Sequence, residues 1–377
     1  MILTEEQLLI QETARKFAQE RVAPNSAEWE RKAAFPPGIF RELGALGFMG
    51  MTVPTEWGGA GADHVAYALA LAEIAAGDGA LSTVVSGHNS VGVMPILNYG
   101  TEAQKQRYVR DLAAGAKLTA FCLTEPQGGS DAASIRTRAV RKGDSYVLSG
   151  TKQFITAGAT ADIALVIAVT DPGAAKRGIS AFIVDTKAPG YIVSRIEKKM
   201  GQNASDTCEI QLENVVVPAT DRLGEEGQGY RIALANLEGG RIGIASQCIG
   251  MSQAALQIAV RYAHERHAFG KPIFEHQAVS FRLADMATSL EAARQLVLHA
   301  AALKTAGKPC LTEASMAKLF ASEAAEKICS DALQTLGGAG YMQDFGVERI
   351  CRAVRGAKIY EGTNDIQRLV ISRSLTG

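Results

Sequence analysis

The spacing of apolar residues in this sequence changes twice, and each change indicates a change of secondary structure. Up to about residue 118 the apolar residues recur every three to four positions, which is the period of a helix. From 119 to 226 they alternate with polar residues and many are β-branched, which is typical of strands. The helical period then returns in three long segments, at about 228–265, 276–306 and 312–336.

This order predicts an α+β protein, because a block of strands stands between two blocks of helices. We expect an N-terminal helical domain over 1–118, a middle β-barrel or β-sandwich domain over 119–226 and a C-terminal helical bundle domain over 227–377. A chain of 377 residues is long enough to build two or three hydrophobic cores.

The charge of the chain argues against nucleic acid as a partner. Its 39 acidic and 39 basic residues cancel, and no basic stripe is present. No run reaches the roughly 18 apolar residues of a membrane span, and the N-terminus lacks the pattern of a secretory signal. The six cysteines form no CxxC pair and share no metal-ligand spacing with the six histidines. We therefore expect a cytoplasmic protein without a metal site, whose thiols are reduced and mostly buried.

One carboxylate near the C-terminus is a candidate general base. Glu361 lies between the apolar pair Ile359 and Tyr360 and the flexible Gly362, and Thr363 can cap the helix that follows. At the end of a pocket, loss of water raises the pKa of a carboxyl toward neutrality, which suits a base. The alternative is a solvated glutamate in a surface loop.

Two apolar stripes are expected to be buried, because the members of each share one face of a helix. The first follows Thr363 and consists of Ile366, Leu369 and Val370. The second lies in the third long helical segment and consists of Phe320, Ala324, Ile328, Ala332 and Leu336.

Three further segments have the composition of ligand-binding loops. In FCLTEPQGGSD, Thr124 and Ser130 offer hydroxyls, and two glycines let backbone amides approach a ligand. In KQFITAG, the ring of Phe154 could flank a planar group. In RHAFGKP, Arg266 could receive a pyrophosphate. The respective alternatives are an ordinary turn, a core phenylalanine and a helix C-cap.

The motifs of several common enzyme classes are absent. The sequence contains no G-x-G-x-x-G, Walker, H-E-x-x-H or G-x-S-x-G pattern. Nicotinamide, nucleotide-hydrolysing, zinc-hydrolase and serine-esterase chemistries therefore lose support.

Three motifs, together with the domain order, resemble the acyl-CoA dehydrogenase family. The motifs are FCLTEPQGGSD, QTLGGAGYMQD and IYEGTNDIQR, which occur in family order over essentially the whole chain. The resemblance implies helical, β and four-helix-bundle domains that enclose FAD and a fatty acyl-CoA thioester. It also implies a homotetramer, built as a dimer of dimers, with electron transfer flavoprotein as the electron acceptor.

The resemblance assigns roles to individual residues, with Glu361 as the base. The positions that contact FAD are Phe121, Thr124, Ser130, Phe154, Thr156, Thr363 and Asp365. The positions that bind the FAD of a neighbouring subunit, at its pyrophosphate and adenosine end, are Arg266, Phe269, Gln277, Gln334, Gly337 and Gly338. The positions near the substrate are Ser130, Glu238, Arg241, Gly362 and Arg373.

Gly240 and Ser82 limit the substrates that the resemblance implies. In family members for isovaleryl and long-chain substrates, the base stands one residue before the arginine that matches Arg241, where this chain has a glycine. Ser82 stands where the glutaryl-CoA enzymes have an arginine, which argues against a dicarboxylate. We expect a butyryl-, isobutyryl- or 2-methylbutyryl-CoA substrate, in fatty acid β-oxidation or branched-chain amino acid catabolism. Glu361 would take the α-proton, hydride would pass to flavin N5, and the product would be the trans-2-enoyl-CoA.

Two other functions remain open on the same scaffold. One is an acyl-CoA oxidase that uses O2, although the chain lacks the long C-terminal extension of the oxidases. The other is a non-catalytic acyl-CoA or flavin-binding protein, against which the intact Glu361 weighs. The chain also departs from the family pattern in two places. Arg-Ala-Val-Arg at 352–355 replaces Arg-Asp-Ala-Lys, and Ala268 replaces a threonine next to FAD.

Overall fold

The computed structural model describes residues 1–375, so the last two residues of the expected C-terminal domain lie outside the described residues. The chain is helical up to residue 113, and Thr4 starts its first helix with a capping box. The helices are α1 Glu5–Phe17, α2 Ser26–Lys32, α3 Ile39–Ala45, α4 His64–Gly77, α5 Gly79–Gly87, α6 Met94–Tyr99 and α7 Glu102–Ala113. Single π-helical turns, Ala18–Val22 and His88–Val93, continue α1 and α5.

The middle of the chain forms one eight-stranded sheet. Its strands are β1 Thr119–Cys122, β2 Arg138–Lys142, β3 Ser145–Thr156, β4 Ile163–Val169, β5 Ile179–Asp185, β6 Tyr191–Ile196, β7 Thr207–Pro218 and β8 Arg222–Leu223. The order is β6-β7-β3-β2-β4-β5-β8, and β1 pairs in parallel with β4. Alternate residues of β4 and β5 belong to two different hydrophobic cores, because helices cover one face of the sheet and the rest of the β domain covers the other.

The C-terminal part is helical again, as expected. Its helices are α8 Gly229–Glu265, α9 Gln277–Thr305, α10 Leu311–Leu336, α11 Gly338–Tyr341, α12 Val347–Arg355 and α13 Asn364–Ser374, with a hairpin of β9 His267–Ala268 and β10 Lys271–Pro272 after α8. Short 3₁₀ helices are Thr55–Trp57, Pro172–Gly178, Ala219–Asp221, Ile273–Glu275, Gln343–Phe345 and Gly356–Lys358. The three long helices match their predicted segments to within one residue at either end.

These elements confirm the α+β prediction of helices, then a sheet, then helices. The expected domain limits at 118 and 226 fall in connecting segments, and they stay predictions. Five of the six cysteines are buried and all six are free thiols, as predicted. Across residues 1–375, we find no helix that is both long enough and apolar enough to cross a membrane.

Helix α8 lies directly on α4 and α5, because its glycines allow contact without intervening side chains. A Cβ atom at Gly250 would lie 2.0 Å from the carbonyl oxygen of Ala72. A Cβ atom at Gly243 would lie 2.2 Å from Oγ of Ser86 and 2.8 Å from Oη of Tyr67. The N-terminal and C-terminal helices therefore share one tight seam along α8.

The two apolar stripes are not buried as predicted. In α13 the buried side chains are the polar Asn364 and Gln367, whereas Leu369 is 43% exposed. In α10 the last three members of the stripe are buried, but Phe320 is 40% exposed. The α13 prediction is wrong because the amide side chains take the inward face, where Asn364 bonds α10 and Gln367 bonds the preceding turn.

We predict that Gly250→Ala destabilises the protein, because the added methyl group would overlap the backbone at Ala72. The expected cost is about 1–3 kcal/mol, measured as a lower melting temperature. Gly87→Ala is the matched control, since Gly87 has helical φ and ψ and no atom within 4 Å of an added Cβ. Equal melting temperatures for the two variants would contradict the close contact of α8 with α4.

Candidate active site

Glu361 stands in a turn between the 3₁₀ helix Gly356–Lys358 and α13. Its φ is 55° and that of Gly362 is 83°, so two consecutive residues have left-handed backbone. For a residue with a side chain this conformation costs roughly 1–2 kcal/mol. Oγ1 of Thr363 accepts a hydrogen bond from the amide of Ile366 at 3.4 Å, which confirms the predicted cap of α13. The turn therefore holds the carboxylate at a defined place beside a helix N-terminus.

The carboxylate of Glu361 is buried without a hydrogen bond. The residue as a whole is half-buried, but its Oε2 is buried and has no polar partner among the described residues. Burial raises the pKa of this carboxyl to about 7, while the charges of Arg241 and then Lys318 oppose the rise. A carboxyl with this pKa exchanges a proton readily near neutral pH. The alternative of a solvated surface glutamate is therefore wrong for this side chain.

Gly240 on α8 makes room for that carboxylate. A Cβ atom at Gly240 would lie 2.6 Å from Oε2 and 3.1 Å from Oε1 of Glu361. Even an alanine at this position would need the carboxylate to move. The glycine that singled out Glu361 in the sequence is thus also required by its position in space.

Arg241 and Glu238 point to different neighbours. Nη1 of Arg241 donates to Oγ of Ser315 on α10 at 3.1 Å, and its Nε is buried without a partner in residues 1–375. Glu238, one turn earlier on α8, forms an ion pair with Lys304 on α9 at 2.9 Å. Arg241 therefore keeps a free donor near the base, whereas Glu238 is already paired.

The loop after β1 and the end of β3 lie side by side. The amide of Gln153 donates to the carbonyl of Thr124 at 2.9 Å, so two of the predicted ligand-binding segments are joined. Phe154 is 60% exposed with a φ of 59°, so the alternative of a core phenylalanine is wrong. Ser130 is exposed. The other predicted members of this group are half-buried: Phe121, Thr124 and Thr156.

A buried ion pair that the sequence patterns did not predict ties these two segments together. Nζ of Lys152 donates to Oε1 of Glu125 at 2.7 Å and to the carbonyl of Leu123 at 3.1 Å, and the two charged side chains are at most 2% exposed. Although burial opposes it, the Lys152 ammonium lowers the pKa of Glu125 to about 2. The Gly128 amide donates to the Glu125 carbonyl at 3.0 Å, so this glycine closes the loop and does not offer its N–H to a ligand.

Arg266, Gly337 and Gly338 line one recess of about 500 Å³. Arg266 ends α8, because its amide donates to the carbonyl of Tyr262 at 2.8 Å. Its guanidinium makes no hydrogen bond or ion pair within the described chain, so the residue is both a helix cap and a free cation. No atom lies within 4 Å of a Cβ atom built at either glycine, so the recess is open there.

The remaining predicted residues of this region lie on the surface. Phe269 is 96% exposed with a φ of 52°, and its ring packs edge-on against His276 at a centroid distance of 5.8 Å. Gln277 at the start of α9 and Gln334 near the end of α10 are both exposed. A phenylalanine exposed this fully is typical of a surface that contacts a ligand or another chain.

Helix α13 separates two predicted residues from the base. Asp365 is exposed and pairs with Arg368 at 3.4 Å. Arg373 is exposed in the last turn, about 14 Å along the helix axis from Asn364 at the rise of an α-helix. Within one subunit the structure therefore does not bring Arg373 to Glu361, whereas Gly362 is directly bonded to it.

Tyr360, the residue before the base, connects the turn to two other parts of the chain. Its Oη donates to Oε1 of Gln247 on α8 at 2.7 Å and accepts from Nε2 of Gln202, which follows β6, at 2.9 Å. Nε2 of Gln247 in turn donates to Oγ1 of Thr83 on α5 at 2.5 Å. These residues and Lys318 on α10 were missed by sequence reasoning. For Gln247, Thr83 and Lys318 the only signal was a polar side chain inside an otherwise small and apolar helical face, and Gln202 lies in a loop without such a signal.

The side chains present fit the FAD that the resemblance implies. One group offers an exposed aromatic ring beside half-buried hydroxyls, which suits a flat flavin ring. The other offers an unpaired arginine beside an open glycine turn, which suits a pyrophosphate. Among the residues that the structure describes, no cluster of three or more His, Cys, Asp or Glu side chains could hold a metal ion.

We predict that Gly240→Ala slows the acyl-CoA dehydrogenation that the resemblance implies about 100-fold, because the methyl group would displace the Glu361 carboxylate. The measurement is the anaerobic rate at which an acyl-CoA reduces the bound flavin. Gly239→Ala is the matched control, since its nearest neighbours, Lys304 and Ser90, lie at 3.8 and 3.9 Å. A wild-type rate for Gly240→Ala would show that the carboxylate can act from another position.

Comparison with known proteins identifies the family. Models of the N-terminal, middle and C-terminal domains of acyl-CoA dehydrogenase match residues 4–116, 120–215 and 227–376. The chain is 49% identical to an acyl-CoA dehydrogenase of Bacillus subtilis, over 100% of both chains. It is 43% identical to a subunit of the caffeyl-CoA reductase-Etf complex of Acetobacterium woodii, over 100% of this chain and 99% of that protein.

A solved structure shows the same similarity. Butyryl-CoA dehydrogenase from Megasphaera elsdenii superposes with a TM-score of 0.98 at 40% identity, over 100% of both chains. The chain therefore belongs to the acyl-CoA dehydrogenase family of FAD-containing flavoproteins.

Proposed function

We propose that the protein dehydrogenates a short- or branched-chain acyl-CoA between its α and β carbons and releases the trans-2-enoyl-CoA. FAD-dependent acyl-CoA dehydrogenation in general follows from the family. The observation that carries the choice of base is the buried, unpartnered carboxylate of Glu361 in the space left by Gly240.

The surroundings of Glu361 suit removal of the α-proton of a thioester. That proton is weakly acidic, so its removal needs a base of matched pKa and hydrogen bonds to the carbonyl oxygen. Glu361, with a pKa of about 7, would take the proton at Oε2. Its backbone N–H makes no hydrogen bond within residues 1–375, so it is available to the thioester carbonyl, where charge develops. When bound, FAD supplies the acceptor for the β-hydrogen, which leaves as hydride to N5.

The packing near the base supports a short acyl chain. Gly243 lies one turn along α8 from Gly240, and at this level the buried side chains of Tyr67 and Ser86 touch the helix backbone. Little width remains between α8 and the helices beneath it for a long chain. The similar enzyme from Megasphaera elsdenii is named for butyryl-CoA, which has four acyl carbons, and this agrees with the proposal.

The surroundings of Ser82 argue against a dicarboxylate substrate. Its hydroxyl is fully buried, donates to the carbonyl of Gly79 at 2.8 Å and accepts from Nε2 of Gln247 at 2.9 Å. A second carboxylate of a substrate would need a cation there, and Ser82 is neutral with its hydroxyl already bonded.

The proposal includes partners. The Acetobacterium woodii relative is named as part of a complex with Etf, which supports electron transfer flavoprotein as the electron acceptor. We propose a homotetramer, arranged as a dimer of dimers, in which the surface of one subunit around Arg266, Phe269 and Gly337 binds the FAD of the next. The strong exposure of Phe269, together with Phe281 at 59%, supports such a contact.

Two other activities would use the same site. The Acetobacterium woodii relative is named a reductase, so reduction of an enoyl-CoA is the second candidate, and it differs only in direction. An oxidase would differ by rapid formation of peroxide when turnover occurs in air.

We predict that butyryl-CoA bleaches the bound flavin of the wild type anaerobically, and that Glu361→Gln retains FAD but is reduced at least about 100-fold more slowly. The wild-type rate should rise with pH through about 7, because only the ionised carboxyl of Glu361 can accept the proton. The variant should show no such rise. Equal rates of bleaching for the wild type and Glu361→Gln would show that Glu361 is not the base.

We further predict that kcat/KM is highest for straight and branched thioesters of four to five acyl carbons and at least about tenfold lower for octanoyl-CoA, because Tyr67 and Ser86 narrow the seam. The measurement uses a panel of thioesters with electron transfer flavoprotein as acceptor. The same panel of enoyl-CoA products, offered with reduced flavoprotein, tests the reductase alternative. Equal values for butyryl-CoA and octanoyl-CoA would exclude a short-chain pocket.

A further inference from the structure

Lys318 on α10 is a buried cation without a carboxylate partner. Its side chain is 0% exposed, and no Asp or Glu oxygen within residues 1–375 pairs with its Nζ. An unpaired ammonium is costly to bury, and an apolar side chain of the same length would avoid that cost. The charge at this position therefore needs a reason beyond packing.

The hydrogen bonds of Lys318 go to the turn that carries Glu361 and to the first residue of α13. Nζ donates to the carbonyl of Gly362 at 2.9 Å and to Oδ1 of Asn364 at 2.9 Å. Gln367 supports the same turn, since its Nε2 donates to the Gly362 carbonyl at 2.8 Å. Lys318 therefore bonds the two residues that flank Thr363, the cap of α13.

The backbone held in this way has a conformation that residues with side chains rarely adopt. Glu361 and Gly362 both have left-handed φ angles, and loss of this conformation would move the carboxylate away from the space beside Gly240. Hydrogen bonds from a charged donor are stronger than those from a neutral amide, so Lys318 contributes more to this restraint than Gln367.

The charge of Lys318 also acts on the carboxylate. Burial raises the pKa of Glu361 to about 7, and Arg241 and then Lys318 oppose the rise. Burial lowers the pKa of Lys318 to about 8, so the ammonium form predominates at neutral pH. The other ionisable groups that face this pair are Tyr67, Cys248, Glu323 and Tyr360.

We infer that Lys318 is a positioning residue for proton abstraction: its ammonium holds the Gly362 peptide so that the Glu361 carboxylate points into the space beside Gly240, and its positive charge favours the ionised carboxylate. The inference rests on the proposed function of Glu361 as the base. Lys318 acts through the turn and through its charge, because its hydrogen bonds go to the Gly362 carbonyl and to the first residue of α13.

The test compares three variants of the FAD-loaded protein. Lys318→Met removes the charge and both hydrogen bonds but keeps the length of the side chain, and Lys318→Arg keeps the charge. Lys327→Met is the matched control, because its side chain lies on the exposed face of the same helix and is 71% exposed. The anaerobic rate of flavin reduction by saturating butyryl-CoA is measured against pH, together with the Kd of butyryl-CoA.

For Lys318→Met we expect reduction about 10- to 100-fold slower than in the wild type. Its pH profile should move upward by about one unit, because the carboxylate loses a nearby cation. The Kd should change less than about threefold, since the substrate contacts remain. Lys318→Arg should recover part of the rate, and Lys327→Met should match the wild type. A wild-type rate and pH profile for Lys318→Met would overturn the inference. A rate that is lower by the same factor at every pH, without a shift of the profile, would also overturn it.

A second measurement needs no turnover. The pKa of Glu361 is raised on folding, so its contribution to stability is present at low pH and is lost as pH rises through about 7. Glu361→Gln should therefore raise the melting temperature above that pH, and the gain should be larger in the Lys318→Met background. Equal gains in both backgrounds would overturn the inference. The two proposals can fail separately. If no acyl-CoA reduces the flavin of the wild type, the proposed function fails. If Glu361→Gln still raises the melting temperature more in the Lys318→Met background, the coupling of Lys318 to Glu361 stands.

Discussion

The contact of α8 with its neighbours through glycine is the constraint on which the rest of the structure depends. At Gly250 and Gly243 the helix meets backbone and hydroxyl groups of the N-terminal helices, and at Gly240 it meets the carboxylate of Glu361. Because glycine has no side chain, nothing at these three positions keeps the elements apart. One helix thereby sets both the seam between the two helical parts and the room available to the base.

Buried polar groups around the site fix the conformation of loops that have left-handed backbone. The Lys152–Glu125 pair joins the loop after β1 to the end of β3, where Phe154 has a left-handed backbone. Tyr360 and Lys318 hold the turn of Glu361 from two sides. Such groups are costly to bury unless they are well bonded, so their value lies in fixing positions rather than in adding stability.

Much of the fold could be predicted from the sequence, because periodicity is a local property. The long helices α8, α9 and α10 and the cap at Thr363 were predicted correctly, since each depends on residues a few positions apart. The stripe of α13 was predicted wrongly, because Asn364 turns inward to bond α10 and Gln367 turns inward to bond the preceding turn, and the pattern contains neither partner. The role of Lys318 was missed for the same reason, because nothing in its local sequence shows that it bonds a turn far along the chain.

The sequence by itself determined the order of helices and strands and the family motifs, which follow from residue types and spacing along one chain. The resemblance to the family added the pairing of a glycine at 240 with a glutamate at 361. Only the tertiary structure decided that Glu361 is buried with a raised pKa, that Phe154 is exposed, and that Arg373 lies away from the base within one subunit. Burial and electrostatic surroundings arise from residues far apart in the chain, so no local pattern encodes them.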